Sequence, residues 1–244
     1  MDPDEDAYGQ AIRDYHERAE GFEIIERDDG HVAPSAGPAM YFSDYDEWGT
    51  DEQTALDHLR GSVLDIGCGA GRHGLYAQRQ GHDVTGIDVS PGAVEVSRDR
   101  GLDTVEQCDV IDVADVFVSD AFETVLMLGA NFGLVGTAET APDILDGLAT
   151  VTTEDGRILA QSRDPHDTDD PHHREYHAFN RDRGRFPGAL RMRTRYKTFA
   201  TPWFDYLLVS PTEMDDVLEA TVWTRTETWA GDGGLYTAIL EKER

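Results

Sequence analysis

The stretch Val63-Leu64-Asp65-Ile66-Gly67-Cys68-Gly69-Ala70-Gly71 decides the fold. Val63 to Ile66 is a short apolar run that reads as a buried strand, and the alternating glycines after it read as a tight turn. From Arg72 a helical pattern runs to Gln80 and is closed by Gly81. A glycine turn between strand and helix is where the polar end of a nucleotide-like ligand usually sits, because the free N–H groups of the helix start face it.

Working outward, strands and helices alternate. Asp83 to Asp88 reads as a second strand, and Ser90-Pro91 caps a helix to about Arg100 with proline at its first position. Thr104 to Cys108 and Phe122 to Leu128 read as further strands, followed by a helix over Ala138 to Ala149 and a fifth strand, Arg157 to Gln161. These strands lack polar alternation, so the expected architecture is α/β, a parallel sheet covered by helices on both faces. Leu190 to Phe199 and Trp203 to Ser210 read as extended segments, and Pro211 to Ala220 as a helix. Thr221 to Trp229 and Leu235 to Glu241 read as a hairpin through Gly231-Asp232-Gly233-Gly234. Residues 1–60 read as a helical N-terminal cap, with helices over Ala7 to Glu26 and Thr50 to Leu59 around a linker, Asp28 to Gly37. Thr50 is its expected second N-cap, boxed by Gln53. The expected organisation is this cap, a core over 61–244, and an inserted lid over 164–200.

Two ligands compete for the glycine turn. Gly69-x-Gly71-x-x-Gly74 spells a dinucleotide fingerprint, whereas Asp65-x-Gly67-x-Gly69-x-Gly71 spells the pattern of S-adenosylmethionine enzymes. A pyrophosphate would be repelled by Asp65, while an α-ammonium and a sulfonium would be attracted to it. Dinucleotide glycines also begin directly after the strand, and here Gly67 precedes that match. Asp88, at the end of the second strand, is placed to accept from both ribose hydroxyls, and Asp109 follows the third strand. All three carboxylates fall at strand C-terminal ends, along the crevice where open α/β sheets bind ligands.

Asp65 to Gly71, Gly86-Ile87-Asp88-Val89-Ser90, Cys108-Asp109 and Phe122-Glu123-Thr124-Val125-Leu126-Met127-Leu128-Gly129 resemble the successive motifs of class I S-adenosylmethionine-dependent methyltransferases. The resemblance is strong over 59–163 and looser over 211–241. It implies a Rossmann-like methyltransferase fold, a seven-stranded, mostly parallel sheet with an antiparallel last strand. It also implies that Asp65 and the Gly67, Cys68, Gly69, Gly71 loop hold the methionine portion of S-adenosyl-L-methionine, and that Asp88 holds the ribose. Val89 would pack on the adenine, Cys108 and Asp109 would border it with Asp109 taking its amino group, and Leu128 would lie near the methionine end. One departure matters. Members that methylate nucleobase or glutamine amines often carry Asp or Asn followed by Pro-Pro-Tyr/Phe after the fourth strand. Here the segment is Leu128-Gly129-Ala130-Asn131-Phe132-Gly133, which weakens those substrates.

Charge narrows the partners. Asp and Glu number 49 against 21 Lys and Arg, a formal net charge of −28, and only Lys197 and Lys242 are lysines. Such a chain repels itself in dilute salt, but the Debye length falls to about 3 Å near 1 M. The excess reads as adaptation to a salty cytoplasm of the haloarchaeal kind, and it argues against nucleic-acid binding, which needs a basic footprint. No run approaches the roughly 18 to 20 apolar residues that span a bilayer, and the acidic N-terminus lacks a signal-peptide pattern, so a cytoplasmic location is expected. Cys68 and Cys108 are not metal-spaced and read as free, buried thiols.

The acceptor side is less legible. Methyl transfer from a sulfonium is an in-line displacement that requires alignment more than a catalytic base, and no base stands out. Arg157 to Ala200 carries ten Lys/Arg and six Asp/Glu, a local +4 that reads either as a lid for an anionic substrate or as arginines paired with the chain's own carboxylates. His173 and His177 would be one turn apart on a helix, yet no third ligand is evident and no metal is expected. Tyr41, Phe42, Tyr45, Trp48, Trp203, Phe204 and Tyr206 suit a pocket wall or the core. The leading expectation is methylation of a small-molecule acceptor. The alternatives are an RNA or protein methyltransferase that docks through the Arg-rich insertion, and a non-catalytic cofactor-binding domain.

Overall fold

The structure, a computed structural model, describes residues 1–243. It begins with helix α1 (Ala7–Arg18), capped by Asp6, whose side chain accepts from the Gly9 N–H. Ala19 takes the left-handed conformation (φ 55°) and ends α1 there, short of the helix expected to Glu26. Instead Ile24–Arg27 and Val32–Pro34 form an antiparallel pair, β1 and β2, so the expected linker holds the second strand. Helix α2 (Thr50–Leu56) follows, with Gly49 rather than Thr50 at its N-cap. Gln53 donates to the Tyr45 carbonyl and forms no capping box.

The alternating region then builds β3 (Val63–Ile66), α3 (Arg72–Arg79), β4 (Val84–Asp88), α4 (Pro91–Asp99) and β5 (Thr104–Gln107). A short helix α5 (Val113–Val116) leads to β6 (Phe122–Met127), α6 (Ala141–Val151) and β7 (Thr152–Arg163). Ser90 caps α4 as its sequence predicts, accepting from the Ala93 N–H. After β7 come α7 (Pro171–Asp182), β8 (Gly188–Tyr196), β9 (Phe199–Ala200) and β10 (Phe204–Leu208), then α8 (Pro211–Leu218) and the hairpin β11 (Trp223–Ala230) and β12 (Leu235–Lys242).

Seven strands form the main sheet in the order β11-β12-β7-β6-β3-β4-β5. The five from β7 to β5 are parallel, and β12 is antiparallel to both its neighbours. Side chains alternate across it, as a period of two requires. Leu64, Ile66, Val125, Met127 and Ile158 face α6 and α8, while Val63, Leu126 and Leu159 face α2 and α3. The strand order reverses at β3, and the crevice outside the C-terminal ends of β3 and β4 is the ligand position of such sheets.

A second, five-stranded sheet runs β10-β8-β1-β2, with β9 paired to β8. Its strands come from both ends of the chain, since Ile24 pairs with Arg195 and Arg27 with Met192. The N-terminal hairpin and the segment after β7 are therefore one structural unit. Helix α1 anchors it to the core. A Cβ on Gly92 of α4 would stand 2.7 Å from the Gly9 backbone, so the two helices approach at paired glycines. Asp6 sits at this crossing, accepting from Gly9 N and Gly92 N at 2.8 Å each. One buried carboxylate thus serves the N-terminal ends of two helices.

Candidate cofactor site

The turn after β3 uses positive φ at each alternate glycine, with Gly67 at 64°, Gly69 at 58° and Gly71 at 78°. Only glycine adopts these without strain. Space is short as well. A Cβ on Gly67 would stand 2.8 Å from Asn131 Nδ2, and one on Gly69 would stand 2.7 Å from the Tyr8 hydroxyl. Asn131 Nδ2 in turn donates to the Ile66 and Gly67 carbonyls at 2.9 and 3.0 Å, so this residue ties the turn after β6 to the glycine loop.

Asp65 is buried, and its Oδ2 accepts from the Gly74 N–H of α3 at 2.9 Å. Asp88 is buried too, accepting from Gly69 N at 3.0 Å and Ser90 N at 2.8 Å. Burial is the main cause that pushes both carboxyls up to about 6. Each retains acceptor capacity beyond these bonds, since an ionised carboxylate offers about four lone-pair sites. They form a compact negative region around a glycine cradle, suited to hydroxyl donors and a cationic ligand and opposed to a pyrophosphate.

The other expected residues fall as follows. Cys68 is buried, with its Sγ 3.9 Å from Ser97 Oγ, and burial raises its thiol well above the usual value. Val89 is half-buried next to Asp88. Cys108 is buried and its thiol donates to the Asp109 carbonyl at 3.2 Å. Asp109 is exposed and caps the following turn, accepting from Ile111 N at 3.3 Å. Leu128 is packed among core residues with Leu126 and Leu159. Asp65, Asp88 and the glycines are thus brought together, and Asp109 lies further along the strand ends.

Tyr8 and Gln161 escape sequence reasoning, and Tyr206, which reads from sequence as a pocket-wall or core aromatic, joins them around the turn. Tyr8 of α1 lies over Gly69, and its ring meets that of Tyr41 edge to face at 5.2 Å. Gln161 of β7 accepts from Gly129 N and Ala130 N. Tyr206 of β10 donates to the Ala130 carbonyl at 2.6 Å, its ring against Gly133. The second sheet therefore reaches the same strand ends as the cofactor turn.

Much of the positive charge over 157–200 is paired. Arg191 pairs with Asp205, Arg193 and Arg195 with Glu26, Arg174 with Asp169, Arg157 with Glu241 and Lys197 with Asp14. The ring centroids of His173 and His177 are 6.5 Å apart on α7, and no group of three or more His, Cys, Asp or Glu is arranged to hold a metal among the described residues.

Residues 63–156, from β3 into β7, match the methyltransferase domain family. The whole fold, second sheet included, resembles a SAM-dependent methyltransferase from Bacteroides fragilis solved with S-adenosyl-L-homocysteine. It shares 26% identity, a TM-score of 0.84, and coverage of 100% of this chain and 98% of that one. Curated relatives match the methyltransferase region only in part. A 2-heptyl-1-hydroxyquinolin-4(1H)-one methyltransferase of Mycobacteroides abscessus is 37% identical over 24% of this chain and 26% of its own length. A mouse lysine N-methyltransferase named for ATP synthase is 28% identical over 43% of this chain and 41% of its own. The chain thus spans about a quarter to two-fifths of these two curated relatives, one named for a quinolone and the other for a protein lysine.

Proposed function

We propose that this chain transfers a methyl group from S-adenosyl-L-methionine to a small-molecule acceptor. The observation that carries the cofactor is the pairing of buried Asp65 and Asp88 around the positive-φ glycine turn. The residues fit the cofactor. Gly67, Gly69 and Gly71 leave the cradle free of side chains, and Asp65 would lie on the side of the methionine ammonium. Asp88 would accept from the ribose hydroxyls, Val89 and Cys108 would border the adenine with Asp109 taking its amino group, and Leu128 would back the methionine end. When bound, the cofactor supplies an electrophilic methyl on sulfur. The chain's part is to hold the acceptor in line and exclude water, with Tyr8 of α1 over Gly69 and Tyr206 of β10 against the turn after β6 bordering that space.

A small acceptor is favoured because the net charge of −28 opposes polyanions and Arg191, Arg193 and Arg195 already hold carboxylate partners. The acid excess further supports work in a salt-rich cytoplasm, and among the described residues no helix is long and apolar enough to cross a membrane. The test is transfer of tritium from methyl-labelled S-adenosylmethionine into separated small-molecule, protein and RNA fractions of a cell extract. Label in the small-molecule fraction supports the proposal. Label in RNA or protein alone contradicts it, and cofactor binding without transfer to any fraction points to a non-catalytic domain.

A further inference from the structure

Glu23, between α1 and β1, is only 1% exposed, and its Oε1 has no hydrogen-bond partner among the described residues. The other oxygen accepts from Ser35 Oγ at 2.9 Å and Tyr41 Oη at 3.4 Å. A buried carboxylate oxygen left without a donor is costly, and such a group is rarely kept without a use. Burial outweighs the pull of the two hydroxyls and holds the carboxyl above its ordinary range. Among the described residues, no Arg, Lys or His offsets that burial.

Its position relates it to the cofactor turn. Tyr41 donates to Glu23 and its ring meets that of Tyr8, whose hydroxyl stands over Gly69, the residue whose N–H donates to Asp88. Tyr8 and Tyr41 pack with Ala70 of the glycine loop and Ile12 of α1. The tyrosine pair therefore stands between the ribose-side carboxylate and an acid that awaits a donor.

We propose that Glu23, with the rings of Tyr8 and Tyr41, forms the acceptor subsite, and that the acceptor is an amine entering as an ammonium ion. This rests on the methyl-transfer function proposed above. An ammonium supplies both the N–H donor that Oε1 lacks and the charge that the buried carboxylate lacks. Aromatic rings attract cations further. A carboxylate or phosphate acceptor would instead meet two buried acids. In the reaction Glu23 takes one N–H proton from the ammonium and frees the nitrogen lone pair. That pair forms the new N–C bond as the S–C bond breaks and its electrons stay on sulfur. The product leaves as a methylated ammonium, and Glu23 releases its proton to solvent.

The test is thermal stabilisation of the protein loaded with S-adenosylhomocysteine by butylammonium and phenethylammonium, against butyrate, phenylpropionate and butanol. The ammonium ions are expected to raise the melting temperature and the others are not. Glu23→Gln keeps an oxygen for Ser35 and Tyr41 but loses the charge, and should weaken the apparent ammonium affinity at least tenfold. The exposed Glu175→Gln should not change it. Should Glu23→Gln fail to fold, Glu23→Asp, which keeps the charge, is expected to retain the preference for ammonium over carboxylate. Equal stabilisation by carboxylates, an undiminished effect in Glu23→Gln, loss of the preference in a folded Glu23→Asp, or no ammonium effect on the loaded protein overturns the subsite alone. Failure to bind S-adenosylhomocysteine overturns the methyl-transfer function and the subsite with it.

Discussion

Gln161 accepts the N–H of Ala130 at 3.0 Å and so fixes the turn after β6 from the neighbouring strand. The same oxygen takes the Gly129 N–H, while the amide nitrogen donates to Asp51 and to Thr237 Oγ1. Gly129 and Ala130 both have positive φ, so the turn depends on these bonds to hold its shape. Gln161→Leu leaves two N–H groups and the Asp51 carboxylate short of a partner. The expected cost is about 1–3 kcal/mol in denaturant unfolding. Weaker S-adenosylhomocysteine binding should accompany it, because Asn131 links this turn to Gly67. Unchanged binding and stability would show the turn to be self-supporting.

The α1–α4 crossing gives a sharper contrast. Gly92→Ala places a methyl against the Gly9 backbone, which cannot yield as a flexible side chain does. A loss of about 1–3 kcal/mol is expected. In Gly147→Ala, within α6, the new methyl meets Val113 at an ordinary 3.5 Å, and the substitution should add about 0.5–1 kcal/mol through helix propensity. Thermal melts of the two variants should move in opposite directions.

Proton linkage follows from Asp65 and Asp88, both pushed up to about 6 by burial. Their folded-state values exceed the ordinary carboxylate value. The stability they contribute is therefore present below that ordinary value and lost as the pH rises through about 6. Cofactor binding runs the other way, since the ammonium and the ribose hydroxyls favour the ionised forms. Calorimetry with S-adenosylhomocysteine should give affinity that rises by about tenfold in all from pH 5 to pH 7 for each carboxyl that must ionise, and levels off above it. A flat profile would separate these carboxylates from the binding event.

The glycine turn, the alternation of strands and helices around it and the positions of Asp65 and Asp88 at strand ends were legible because each rests on local pattern: an apolar run, alternate glycines, an acid at a strand end. The second sheet was not. Ile24–Arg27 and Val32–Pro34 are too short to establish a strand period, and β1 gains its main partner from β8, far along the chain. The spacing of Ile12, Tyr15, Ala19 and Phe22 suggests one long helix, but Phe22 is exposed and α1 has already ended. Glu23 could not be singled out among 49 acidic residues, since burial, not residue type, distinguishes it. The paired arginines of the lid show the same limit, because a local surplus of +4 says nothing about partners brought from elsewhere, such as Glu26.

The acid excess predicts a salt dependence. If repulsion among surface carboxylates is the main liability, the melting temperature should climb steeply with KCl toward 1 M, where the Debye length is about 3 Å. A melting temperature independent of salt would remove the case for a salt-rich habitat.

The most direct test of the account is calorimetric titration of S-adenosylmethionine and NAD into the wild-type chain and into Asp88→Asn. The wild type should bind S-adenosylmethionine and not NAD. Loss of one charge-assisted acceptor should weaken S-adenosylmethionine binding by about tenfold or more in Asp88→Asn. Preferential binding of NAD, or S-adenosylmethionine binding that Asp88→Asn leaves intact, would contradict it.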